Sequence, residues 1–181
     1  MLSELAGEAK KHKLANITPM LMPWEKYEGT EKYDLVFTAL SPAITGPDLF
    51  LKMEKSSRRS CCYIAFGDDS FTGLRNELWK LITGKDRKAN PFNISIPFGM
   101  LMSMGRKPNV KFFDNISLQP KSVEEIIATH VEFLKTFTEI NDEKMKQIRE
   151  YVKAKADSGT LEYRTGQLLV ALCWSVPKEE Q

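Results

Sequence analysis

The chain has 181 residues, of which 42% are apolar and 28% charged, with a formal net charge of only +2. That balance is ordinary for a soluble globular protein and excludes fibrous, collagen-like and disordered classes. At roughly 150 residues per domain, the length gives a single domain, 1–181, built around one core.

No apolar stretch reaches the roughly 18 residues of a membrane span. MLSELAGEAKKHK places its lysines after the apolar residues, which is not the order of a secretory signal. The cysteines are Cys61, Cys62 and Cys173, an odd number with an adjacent pair. They argue against a disulfide framework and point to the cytoplasm.

Leu2, Leu5 and Ala9 share a helical face, with Lys10 and Lys11 at its C-terminal end. Asn16 to Met22 holds β-compatible Ile17 and Thr18, but Pro19 and Pro23 confine any strand there to a short or edge one. Tyr33 to Leu40 (YDLVFTAL) is a nearly continuous apolar run, the pattern of a buried parallel strand. Pro47 suits the first turn of a helix of about 10 residues carrying Leu49, Phe50 and Met53 inward. Ser60 to Gly67 (SCCYIAFG) is a second buried strand, with Asp68 and Asp69 beyond it. Phe71, Leu74, Leu78 and Ile82 then recur at helical spacing until Gly84 stops them.

The segment 85–108 begins polar and basic and becomes rich in Ile, Met and Phe from Ile94 to Met104. It is expected to be a cap or insertion holding a short apolar helix. With Phe92 and Phe98, it either lines a substrate pocket, makes a subunit contact, or packs in the core. Val110 to Phe113 is a strand candidate. Ser122 and Glu125 form a capping box ahead of the stripe Val123, Ile126, Ile127, Val131, Leu134 and Phe137. Asn141 caps a further helix with Met145, Ile148 and Val152 inward, and Gly159 ends the helical pattern. Leu161 to Arg164 and Gln167 to Val176 are strand material, readable as one long strand kinked at Gly166.

The phosphate loop, GxGxxG, HExxH, CxxC and GxSxG motifs are all absent. With His12 and His130 as the only histidines, a histidine-rich metal site is excluded, and no metal is expected. His130 lies on the apolar stripe of its helix, either as a packed core residue or in a pocket-lining or acid–base role. Adjacent strand residues point to opposite faces, so Cys61 and Cys62 cannot share a metal, and buried inert thiols are expected. Met100, Met102 and Met104 read as core filling. No catalytic residue can be named.

The order of these patterns resembles the class I S-adenosylmethionine-dependent methyltransferases. LSELAGEAKKHKLANIT is similar to the helix after that fold's second strand and the step into its third. MPWEKYEGTEKYDLVFTALSP resembles the third-strand exit and the fourth strand. FLKMEKSSRRSCCYIAF resembles the next helix and fifth strand, and the stretch from Gly159 to Lys178 resembles a closing antiparallel strand pair. The resemblance implies an α/β, Rossmann-like methyltransferase fold, its sheet mostly parallel with C-terminal antiparallel strands and helices on both faces.

It also implies S-adenosylmethionine as cofactor, with Thr38, Ala39, Leu40, Ser41 and Pro42 flanking its methionine end and Trp24 near the adenine. Tyr33 and Asp34 would be structural. Ser41-Pro42-Ala43-Ile44 stands where amino-group methylases carry an NPPY-like tetrapeptide, which favours a small-molecule acceptor over a nucleobase.

Two departures accompany the resemblance. The family's first strand with its glycine-rich turn, and the acidic residue that holds the ribose, would precede Leu2. Pro23 replaces the aspartate expected just before Trp24. The family's strand order is 3-2-1-4-5-7-6, so the fold is expected to be truncated by roughly 50 residues. YDLVFTAL is then left as an open edge. Strand 3 closes onto it, a second copy covers it in a homodimer, or an N-terminal fragment does. The alternative functions are a catalytically inactive binding and dimerisation module, or nucleic-acid binding. For the last, residues 75–111 carry eight basic side chains (Arg75, Lys80, Lys85, Arg87, Lys88, Arg106, Lys107, Lys111) against Glu77 and Asp86.

Overall fold

The computed structural model describes residues 2–29, 31–67, 73–87, 92–114 and 116–177. Asp68, Asp69, Phe71, Lys88 and Lys178 lie outside the described residues. The chain opens on α1 (Leu2–Lys11), makes one 3-10 turn at Trp24–Lys26, and enters β1 (Tyr33–Ala39). Then come α2 (Pro47–Lys55), β2 (Ser57–Phe66), α3 (Leu74–Thr83), α4 (Ser95–Ser103), β3 (Asn109–Asp114) and β4 (Ser117–Ser122). α5 (Val123–Lys135), α6 (Asp142–Lys155), β5 (Thr160–Thr165) and β6 (Leu168–Ser175) complete the fold.

The local signals act where their chemistry predicts. Pro47 opens α2, and Gly84 ends α3 in the left-handed region at φ 70°. Ser122 and Glu125 satisfy each other's backbone donors at the start of α5, and the Asn141 side chain accepts from the Lys144 N–H in α6 at 3.0 Å.

The main sheet has the order β1-β2-β6-β3. β1 runs parallel to β2, whereas β6 is antiparallel to both β2 and β3. The expected pairing of the last two strands does not form. β5 pairs instead with β4 in a separate antiparallel ribbon, and Gly166 at φ 75° turns the chain between two sheets rather than kinking one strand. β4 itself was not expected, because Pro120 and its exposed side chains hide a strand in the sequence.

Apolar side chains bury in two clusters instead of one. In the first, Cys61, Tyr63, Leu172 and Trp174 of the sheet meet Phe50 and Met53 of α2 and Leu101 of α4. The Phe50 ring lies 5.4 Å from Tyr63 and 5.3 Å from Trp174. Leu101 and Phe92 place part of segment 85–108 in this cluster. The second gathers α3, α5 and α6 around Leu78, Ile126, Leu134, Ile148 and Val152. Phe137, expected on the α5 stripe, lies past that helix's end and is exposed.

Helices α2 and α4 cover one face of the main sheet, so the expectation of helices on both faces fails around β1. On the opposite face, Leu35 and Phe37 are 56% and 57% exposed. β1 is therefore an edge strand with open side chains, not the buried strand its apolar run suggests. Asn16 to Met22 forms no strand, and among the described residues no strand 3 closes onto that edge. A continuous apolar run reports what a strand can bury, not whether a neighbour is there.

Cys62 lies directly across from Cys173 in the β2–β6 ladder, and the two are disulfide-bonded. This corrects the expectation of inert thiols at those positions and removes the support the cysteine count gave to a cytoplasmic location. Cys61, on the other face of β2, remains a free buried thiol, its pKa pushed up to about 11 by burial.

Gly67 lets β2 and β6 close. A β-carbon there would lie 2.6 Å from Val170 Cγ2 and 2.9 Å from Leu168 Cγ, so these short, stiff side chains would have to shift. Gly67→Ala is expected to cost about 1–3 kcal/mol in urea unfolding. Gly99→Ala, inside α4 with nothing within 4 Å of the added β-carbon, should cost nothing by the same measurement.

Candidate functional site

In open α/β sheets, ligands bind outside the carboxyl ends of the parallel strands. Here the ends of β1, β2 and β3 and the start of β6 share one edge: Leu40 N–H donates to Ile64 O at 2.9 Å, Gly67 N–H donates to Leu168 O at 2.8 Å, and Asp114 pairs with Leu168.

β1 ends in a strained turn. Leu40 sits at φ 51°, a region uncommon for a residue with a β-carbon. Such conformations cost about 1–3 kcal/mol and gather at functional sites. The Ser41 hydroxyl holds the turn by accepting the Ala43 N–H at 3.2 Å. Four of the five expected cofactor-flanking residues, Ala39, Leu40, Ser41 and Pro42, are exposed, and Thr38 is half-buried.

Trp24 meets that turn only at its far end, where Ala43 lines the same groove. It lines a shallow groove of about 510 Å³ along the free side of β1, with Met20, Met22, Tyr27, Leu35 and Phe37, and Thr38 to Pro42 are not among the lining residues. Its indole N–H donates to Leu49 O at 3.0 Å, its ring stacks on Tyr27 at 5.5 Å, and Lys52 Nζ lies 5.3 Å from its centroid. Asp34 accepts a two-pronged hydrogen bond from Arg58, which holds its carboxyl below the usual range and ties β1 to β2.

Three of the basic residues of 75–111 are engaged within the protein. Arg106 is turned inward onto Glu54, Lys80 pairs with Asp86 at 2.8 Å, and Arg75 lies over the Phe133 ring. Among the described residues, no group of three or more His, Cys, Asp or Glu side chains could hold a metal.

The same carboxyl edge opens into a cavity of about 580 Å³, walled by α5, β5, the start of α3 and the start of β6. Arg75, His130, Tyr163, Arg164 and Gln167 line it, together with Leu74, Leu118, Leu161 and Leu169. His130 is 1% exposed. Its Nδ1 lies 2.8 Å from Ile126 O, which can only accept, so Nδ1 carries the proton and Nε2 presents a lone pair. That Nε2 has no hydrogen-bond partner. An unpaired buried acceptor costs about 1–3 kcal/mol. Burial, and secondarily the positive charge of Arg75, hold His130 below its ordinary pKa of 6.5.

The sequence showed His130 as core or pocket-lining, and it is both. Tyr163, Arg164 and Gln167 carried no signal, because they reach the cavity only through the turn at Gly166.

No family model matches the chain, and no curated protein matches it in sequence. Among solved structures, it is similar to a "putative methyltransferase" from Bacillus halodurans C-125, with TM-score 0.56 and 12% identity over 95% of this chain and 77% of that one. The chain thus shares the fold of that protein. No helix among the described residues is long and apolar enough to cross a membrane.

Neutral His130 makes stability depend on pH. Below pH 6.5 the unfolded chain binds a proton that the folded state resists, so stability falls as the pH drops through 6.5 toward the lower folded value. The urea midpoint should therefore be lower at pH 5.5 than at 7.5, and His130→Phe should flatten that difference. An undiminished difference in the variant would rule out His130 as its source.

Proposed function

We propose that the chain is a class I S-adenosylmethionine-dependent methyltransferase in type, acting on a small molecule, with the cofactor's methionine end against Thr38 to Pro42. The observation that carries this reading is the sheet order. β1-β2-β6-β3, with β6 alone antiparallel, is the 4-5-7-6 part of the order expected from the resemblance. The likeness to the Bacillus halodurans protein supports the same fold. The strained Leu40 turn adds an observation at the place where the cofactor is expected.

The cofactor supplies a sulfonium methyl, transferred largely by positioning and exclusion of water. The described residues fit it at one end only. The turn at Leu40 is open, but Trp24 already spends its N–H on Leu49 and its ring on Tyr27 and Lys52, which leaves no handle for an adenine. No acidic side chain lines the Trp24 groove to take ribose hydroxyls. We therefore derive no chemical step for this chain alone.

Titration with S-adenosylhomocysteine, followed by the backbone amide resonances of the full chain, tests the reading. Weak binding, with a Kd of about 1 mM, that moves Thr38 to Ala43 is the expected result. Unmoved resonances there at saturating ligand would sink the cofactor assignment.

A second reading, an inactive module that dimerises through its open sheet, is favoured by the exposure of Leu35 and Phe37 on the edge strand. It predicts a dimer in sedimentation velocity that Phe37→Asp converts to monomer, together with no cofactor response.

A further inference from the structure

We propose that the Cys62–Cys173 disulfide is a redox switch on the middle of the main sheet: an external dithiol reduces it while the chain stays folded, and its reduction loosens β6 from β2. This goes beyond the methyl-transfer reading and does not depend on it.

The strand ladder builds the site. Cys62 and Cys173 face each other directly in the antiparallel pairing of β2 with β6, which runs unbroken from Ser60 and Ser175 to Phe66 and Leu169. Those backbone bonds keep both β-carbons on one face of the sheet whether or not the sulfurs are joined. The reduced thiols therefore stay side by side, and the bond can reform.

The face that carries the bond is the open one. Phe37 of β1 pairs with Cys62, and Asn109 of β3 pairs with Cys173, so Phe37, Cys62, Cys173 and Asn109 form one row across the sheet. Both ends of the row are exposed, both cysteines are half-buried, and neither cysteine belongs to either buried cluster. Helices α2 and α4 pack on the other face, against Cys61, Tyr63, Leu172 and Trp174. A small thiolate thus has access to the sulfurs from the uncovered side.

The exchange is confined to this pair. Cys61 points to the covered face and is fully buried, and burial pushes its thiol up to about 11, so it is neither placed nor ionised to enter the reaction. One thiolate of the dithiol attacks Sγ of either cysteine, the S–S bond breaks, and the other cysteine leaves as a thiolate that takes up a proton. The reagent's second thiolate then attacks the reagent's own sulfur in the mixed disulfide, which closes a cyclic disulfide and releases the second cysteine. Two electrons and two protons pass to the protein, the dithiol is oxidised, and a small disulfide in excess drives the reverse.

The bond spans 111 residues of sequence, a loop that holds β3 and the whole second cluster. Freeing a loop of that size raises the unfolding equilibrium constant by roughly 30- to 1,000-fold. Because β3 reaches β2 only through β6, the loss is felt across the sheet.

The full chain is equilibrated without denaturant in either dithiothreitol or oxidised glutathione, alkylated with iodoacetamide while folded, and mapped by mass spectrometry. Oxidised glutathione should give a peptide pair linked through Cys62 and Cys173. Dithiothreitol should leave both alkylated and Cys61 unlabelled. The reduction rate should rise in proportion to dithiothreitol and stay nearly flat in urea below the unfolding transition. The reduced chain should unfold at lower urea than the oxidised one, with its β6 amides exchanging roughly tenfold faster. Cys173→Ser should match the reduced chain and ignore the dithiol, whereas Cys61→Ala should keep the full response. A reduction rate that climbs with urea in step with unfolding overturns the proposal. So does the lack of a linked peptide in oxidised glutathione, or an equal urea midpoint for the two forms. The unaltered chain supplies both states, so the comparison stands even where a variant does not fold. A cofactor titration bears on none of these readouts, and the two ideas fail separately.

Discussion

Everything in the main sheet depends on β6 being in its middle. β2 and β3 do not touch each other and are joined only through β6, which hydrogen-bonds to both along its length. Its Val170, Leu172 and Trp174 are among the most buried side chains of the first cluster. One carboxylate ties this strand to its surroundings. Glu54 of α2 accepts Trp174 Nε1 at 2.9 Å and pairs with Arg106, from the segment just before β3, at 2.6 Å. Both charged groups are largely shielded, at 22% and 12% side-chain exposure, so each would be costly without the other. Their pairing fixes α2, β6 and the approach to β3 relative to one another.

The same constraint creates the cavity. Between β3 and β6 the chain leaves the sheet, builds β4, α5, α6 and β5 around a second cluster with α3, and must return to a slot between two existing strands. It returns through β5 and the left-handed turn at Gly166, and β5 brings Tyr163 against His130 of α5, the ring centroids 5.6 Å apart. The cavity is thus the seam between the sheet and this excursion. His130 marks the seam: it belongs to the apolar stripe of α5, and its buried ring meets the Tyr163 ring of β5 edge-on.

How much of this the sequence showed depended on the range of the interactions involved. Pro47, Gly84, the Ser122–Glu125 box and Asn141 act on their own backbone within one turn, and each helix end they mark is where it was expected. The apolar runs Tyr33 to Leu40, Ser60 to Gly67 and Val110 to Phe113 marked three strands, whose observed bounds are Tyr33–Ala39, Ser57–Phe66 and Asn109–Asp114. Long-range partners were not. Nothing near Cys62 points to Cys173, 111 residues away, and nothing in YDLVFTAL tells that one side of the strand stays open. β4 was hidden by its proline and its polar, exposed side chains. Of the candidate sites, the turn at Thr38 to Pro42 was named by resemblance and its strain emerged only in three dimensions. The His130 cavity was half-visible, as one histidine on a stripe whose neighbours come from residues 161–169.

α1 has a different standing from the rest of the fold. It contributes no buried residue, and Leu5 is 41% exposed. A ten-residue helix without tertiary support is near the limit of what propensity alone sustains in water, since isolated helices shorter than about 12–15 residues are marginal. The chain therefore carries two thermodynamic regimes. From β1 onward, helices contribute residues to one or other of the two buried clusters and strands pair in ladders, so their stability is tertiary. α1 answers to temperature, salt and solvent on its own account, as a helix–coil equilibrium attached to a cooperative unit.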